Sequence, residues 1–334
     1  MSRRSLLFLA LAFIGIAGVY AWKNAKNANT QPAAAVIPAT PARRPQASLR
    51  QSPLPPATRL DFLTDLGQPY QVRINLLRNT LATECSEPEL RYLYQLLDQA
   101  ADKAEIPEHW YVIANDIMTQ ILSHETNPER FTTHFTGLLG DARQPEVLRD
   151  YAVQYLAAWL NPRSAQATTH RLPTPPPAMA AQVLQSLVTA ATSSELSQTT
   201  IPGTTLMMLV DLTRSGSGVD CTPAIASLKP WLRHALEAGS PLGQATRVSA
   251  VAAAGVLAPD EFRPTLRRIA FQENSSAALR LPALAALGQA GEAADVPQLQ
   301  QIAATHPELA YAATDACRVL TTRLEMENGP SLSR

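Results

Sequence analysis

A 33-residue echo in the last third narrows what this chain can fold into more than any other feature. The stretch "TRVSAVAAAGVLAPDEFRPTLRRIA" from Thr246 recurs from Leu279 as "LRLPALAALGQAGEAADVPQLQQIA". Without a gap, Arg247 matches Arg280, Ala250 matches Ala283 and Gly255 matches Gly288. Pro264, Leu266 and Ile269 likewise match Pro297, Leu299 and Ile302, and a weaker third copy sets Ala316, Cys317 and Leu320 where Ala283, Leu284 and Leu287 stand. A supersecondary unit that cannot bury its own apolar face repeats in this way so that copies can stack. Each copy reads as an alanine-rich helix ending near Gly255 or Gly288, a short loop, and a second helix with Pro264 or Pro297 near its start.

Upstream the pattern is also helical. In "SEPELRYLYQLLDQAADKA", Ser86 is an expected N-cap, Pro88 falls in the first turn, and Glu89 completes a capping box. Leu90, Leu93, Leu97 and Ala101 then share one face, as do Trp110, Ile113, Ile117 and Ile121 in the next segment. Helices opened by Pro-Glu follow, one with the stripe Leu148, Ala152, Tyr155 and Trp159. Further helices fit "MAAQVLQSLVTAAT", "TTLMMLVDLTR" and "PAIASLKPWLRHALEAG", with "SGSG" at 215–218 as a turn. No strand-like alternation persists beyond a few residues, so the expected class is all-α. Residues 161–178, "NPRSAQATTHRLPTPPPA", form a proline-rich loop between helical hairpins at 60–160 and repeats at 179–326, with a disordered tail at 327–334.

The amino terminus is different in kind. Residues 1–5 are a short basic leader, and Leu6–Trp22 is an apolar run of 17 residues. As a helix it would measure about 25 Å, the short end of a membrane span. Tyr20 and Trp22 suit the interfacial aromatic belt. The reading is an uncleaved signal anchor, the alternative a signal peptide cut near Ala21. Residues 23–59 hold Pro, Ala, Asn, Gln and basic side chains with little apolar bulk, which predicts a disordered tether. With its N-terminus in the cytoplasm, the body is expected in a periplasm.

The net charge of zero conceals an asymmetry: residues 1–60 carry eight bases and no acid, leaving 20 bases against 28 acids in 61–334. An acidic body argues against nucleic acid as a partner, because phosphate contacts need clustered Lys and Arg. Cys85, Cys221 and Cys317 lie far apart and in no metal-ligand spacing, so small core residues are expected, their disulfide state open.

"LRLPALAALGQAG" followed by "VPQLQQIA" resembles a HEAT repeat of the short kind, similar to the bilin-lyase-type HEAT-like units. Arg280, Ala283, Leu284, Leu287 and Gly288 carry the likeness in the first helix, and Val296, Pro297 and Leu299 in the second, over residues 243–325. "LRDYAVQYLAAWL" at 148–160 has the same first-helix character, and Pro282 falls where HEAT units bend. The resemblance implies an α-solenoid of antiparallel helical hairpins whose usual work is binding macromolecules. It implies no reaction, and the cysteine arrangement of a bilin-attaching enzyme is missing.

Chemistry-bearing residues give no site. His124-Glu125 opens like HExxH, but Pro128 stands at the fifth position, and sharing of a metal with His134 would need two helices to meet. Glu125 with Glu129, and Asp98 with Asp102, are spacings that exposed helix faces produce constantly. Asn274-Ser275-Ser276 is a sequon, and Trp110, Trp159 and Trp231 read as core. No catalytic, cofactor-binding or metal residue is assigned, and no cofactor or small-molecule substrate. The sequence therefore reads as a membrane-tethered, non-catalytic helical-repeat scaffold that binds a protein or polymer in the cell envelope. The alternative is an envelope enzyme, or an accessory subunit of one, with a site near 161–178.

Overall fold

Helix after helix, joined by short turns, accounts for nearly all of the computed structural model, which describes residues 59–99, 109–161 and 170–328. The expected leader, membrane anchor and most of the tether therefore lie outside the described residues, as do Ala101, Asp102, residues 162–169 of the 161–178 loop and residues 329–334 of the tail. The described residues contain thirteen α-helices and no strand. None is long and apolar enough to cross a membrane.

The order is α1 (Tyr70–Thr80), α2 (Glu87–Asp98), α3 (Trp110–His124), α4 (Pro128–Gly140), α5 (Glu146–Leu160), α6 (Pro177–Thr192) and α7 (Ile201–Arg214). It continues with α8 (Thr222–Ala235), α9 (Gln244–Leu257), α10 (Pro259–Phe271), α11 (Ala277–Ala290), α12 (Val296–Thr305) and α13 (Ala310–Asn328). The last helix extends two residues into the expected tail, and α6 starts at Pro177, inside the expected loop. Pro297 opens α12 as the sequence suggests, but Pro264 is interior to α10, which begins earlier, at Pro259.

Packing sorts the helices by parity. Each odd-numbered helix packs on the next, from α1 through α3, α5, α7, α9 and α11 to α13, while even-numbered helices pack on the odd helix that follows or precedes them. The result is two layers of stacked hairpins, consistent with an α-solenoid. The proline-rich segment does not interrupt them, because α5 packs directly on α7 and α4 on α6. Between the layers lies one apolar core, to which Trp159, Phe131 and Phe135 contribute the largest fully buried side chains. Phe131 stacks on Phe135 at 4.4 Å and meets Trp159 edge-on at 5.5 Å. Burying each such ring contributes about 1.5–3 kcal/mol.

The 33-residue echo corresponds to a repeated contact. A Cβ built at Gly255 would overlap the Ala286 methyl, and one at Gly288 would lie 2.8 Å from the Ala316 Cα. Both glycines thus sit where α9 meets α11 and α11 meets α13, and nothing larger fits without moving a helix backbone. Matched positions Ala250 and Ala283, and Leu266 and Leu299, are fully buried.

A second motif recurs on four of the odd helices. Arg73, Arg149, Arg247 and Arg280 each occupy the fourth position of their helix, α1, α5, α9 and α11. Each reaches back to a carbonyl of the element before it: Leu63 O at 3.1 Å, Leu139 O at 2.9 Å, Ala235 O at 3.4 Å and Ala270 O at 3.0 Å. The last carbonyls of a helix have no intrahelical donor, so a buried guanidinium satisfies one and pins the turn.

Candidate docking face

Most titratable residues weighed in the sequence turn out to be structural. Ser86 N donates to Glu89 at 2.8 Å, as the capping box predicts, and Arg59 also clasps Glu89, holding its carboxyl down at about 2. Glu125 is fully buried. Burial alone would raise its pKa, but it is lowered by Arg130, the Asn127 N–H and the Tyr94 hydroxyl. Those donors lie 2.7 Å (Arg130 Nε), 2.7 Å and 2.9 Å away. Arg130 continues to Glu87 at 2.5 Å, knotting α2, the α3–α4 turn and α4 together. Both oxygens of this carboxylate are thus engaged within the fold. Of its suggested partners, His124 closes α3, and His134, in α4, is pushed down to about 4 by burial and packs edge-on against Tyr94. Asp98, the nearest acid to His134 at 3.7 Å, is raised to about 6 by burial and by Asp141. Among the described residues no group of three or more His, Cys, Asp or Glu is placed to hold a metal. The three cysteines are free, Cys221 buried and the others half-buried. Trp110 and Trp159 are buried in the core, while Trp231 packs against it half-exposed. Asn274 is exposed in the α10–α11 turn. Where the 161–178 loop resumes, Leu172 is buried and the Pro173 carbonyl accepts from Trp159 Nε1 at 3.0 Å.

The distinctive surface is the outer face of the odd layer, which the sequence did not single out. Exposed large apolar side chains are Leu66, Val72, Leu76, Val112, Val147, Met207, Tyr311 and Met326. All but Leu66 stand on odd helices, and the even helices have none. Helical spacing extends the pattern with half-buried or exposed residues that are small and uncharged: Ala245, Val248, Ala252 and Val256 on α9, then Ala278, Leu281, Ala285 and Gln289 on α11. Asn115 and Thr119 on α3, and Gln154 on α5, continue it toward the N-terminal end.

The even layer carries several ion pairs on and between its helices. Arg91 pairs with Glu87 on α2, while Lys229 and Arg233 of α8 hold Glu261 of α10 at 3.0 and 2.6 Å. Arg263 and Arg267 of α10 grip Glu292 and Asp295 in and beside the α11–α12 turn at 2.6–2.7 Å. The exposed large apolar side chains thus belong to the odd layer, while ion pairs occur in both, those of the odd layer including Arg78–Asp116, Arg318–Asp315 and Arg323–Glu327. Periodicity alone could not reveal this distribution, because a residue's layer is set by which helices pack on which.

No protein-family model, curated protein or solved structure matches this chain.

Proposed function

We propose that this chain is a non-catalytic scaffold, a HEAT-like α-solenoid held at a membrane by residues 6–22, whose odd-layer face docks a protein partner in the cell envelope. The observation that carries the reading is the confinement of exposed large apolar residues to the odd helices and the loop at Leu66. Stacked hairpins support it too, since units that touch mainly their neighbours lay out a long, regular surface. The apolar run at 6–22 supports the anchor, and the tether at 23–59 would hold the body clear of the bilayer.

The test is crosslinked capture from native membranes with the full chain. Val147→Asp, Met207→Asp and Leu281→Asp together should abolish recovery of the partner, whereas Arg91→Ala with Arg233→Ala, on the even layer, should leave it intact. Unchanged recovery with the first set removes the face from the reading. A phosphatase fused to the C-terminus, active only outside the cytoplasm, checks the proposed topology.

A further inference from the structure

We infer that residues 53–58 of this chain close the amino-terminal end of the stack, with Leu54 and the prolines around it laid over Val72 and Leu76 of α1. This closure leaves Val112, Val147 and Met207 open to a partner and shortens the tether to residues 23–52.

The recurring arginine gives the register. In α5, α9 and α11, the residue just before it and the residue three places after it are Leu148 and Ala152, Thr246 and Ala250, and Leu279 and Ala283. All six are buried. At the same two positions around Arg73, α1 has Val72 and Leu76, and both are exposed. Geometry explains the difference. Arg78 of α1 reaches across to Asp116 of α3, while Arg73 reaches back to the Leu63 carbonyl of the 3-10 turn Asp61–Thr64. At 3.6 residues per turn, Leu76 and Val72 fall about 60° and 100° beyond Arg73, on the flank away from Arg78 and α3. The helices α5, α9 and α11 each have a preceding odd helix packed on them, and α1 has none among the described residues.

The other end is finished differently. The 33-residue step that leads from Gly255 to Gly288 leads next to Thr321 of α13. The two glycines admit the following helix, whereas Thr321 is exposed, and Thr314, Arg318 and Glu325 share its face at helical spacing. Terminal units of a stack need a polar outer surface. The last helix has one, and the first does not.

Chain order names the occupant. The turn Asp61–Thr64 takes the place of an even helix, since its Leu63 carbonyl meets Arg73 as the Ala270 carbonyl of α10 meets Arg280. An odd helix would come just before it, and the sequence there is Pro-Leu-Pro-Pro-Ala-Thr. Leu60, fully buried, and Arg59, clasping Glu89, fix the end of that segment on the body. Prolines forbid a helix but favour an extended form, which at about 3.1 Å per residue lets Leu54 lie about 15 Å from Arg59. The eleven residues of α1 measure about 16 Å, so its whole length is within reach.

The test is benzoylphenylalanine in place of Leu76, irradiated in the full-length protein in detergent. Crosslinks should fall within one chain, on residues 51–58, and drop about tenfold when Leu54→Asp is added. In the otherwise unaltered chain, Leu54→Asp should quicken hydrogen exchange in α1 about tenfold, while unchanged exchange in α9–α13 shows the fold intact. Crosslinks to a second chain would make this end a self-association surface and overturn the closure. So would crosslinks elsewhere or none, or either readout indifferent to Leu54→Asp.

Discussion

Arg149 and Arg280 have the same role in distant parts of the chain, each closing off the last turn of the preceding helix from the fourth position of its own. Only the second was legible in the sequence, because Arg280 belongs to a gapless echo with Arg247, whereas loops of unequal length separate Arg73, Arg149 and Arg247. Replacing Arg149 or Arg280 with Met should cost about 1–3 kcal/mol in urea unfolding, the penalty for leaving a buried carbonyl without its donor. Gly288→Ala should cost a comparable amount, about 1–3 kcal/mol, since the added methyl meets helix backbone rather than a movable side chain. Acid stability should fall in two steps. Burial lowers the folded pKa of His134 from its ordinary 6.5 to about 4, so the unfolded chain takes up the proton first and stability drops as pH falls through that window. Arg59 holds Glu89 at about 2 against an ordinary 4.5, and its contribution, complete at higher pH, is lost as pH falls from 4.5 toward 2. Melting curves across pH should show the first step vanish in His134→Gln and the second shrink in Glu89→Gln.

At the level of elements, capping boxes, Pro-Glu starts and apolar stripes located the helices well, since these signals act within one turn. What they could not show is how turns are fastened across helices. Glu292, exposed in the α11–α12 turn, bridges Arg263 and Arg267. Next to it, buried Asp295 accepts from Glu292 N at 2.7 Å and from Arg267 Nε at 2.6 Å, while Arg323 of α13 donates to the Gly291 carbonyl. Three helices thus converge on one short turn. Asp295→Ala should therefore destabilise by about 1–3 kcal/mol, while Gln298→Ala, exposed on α12, should stay within about 0.5 kcal/mol. Chemical denaturation of the two variants side by side distinguishes them.

For the whole molecule, the repeat foretold stacked helical hairpins but not which layer would expose large apolar side chains, because that depends on long-range packing. Stacking also predicts how damage spreads. Leu284 is fully buried in α11, so Leu284→Ala should cost about 2–5 kcal/mol. Hydrogen exchange should then quicken across α9–α13 and leave α2–α5 nearly unchanged, since each unit leans mainly on its neighbours. Uniform loosening would point to a single indivisible core. The glycine contacts at Gly255 and Gly288 have a metric consequence as well. Backbone-to-backbone approach brings α9, α11 and α13 toward the short end of the roughly 8–10 Å range for packed helices. A strand laid across them advances about 3.3 Å per residue. Its side chains would come into step with these helices every second or third residue, so the spacing of two glycines would act as a ruler for any extended segment laid there.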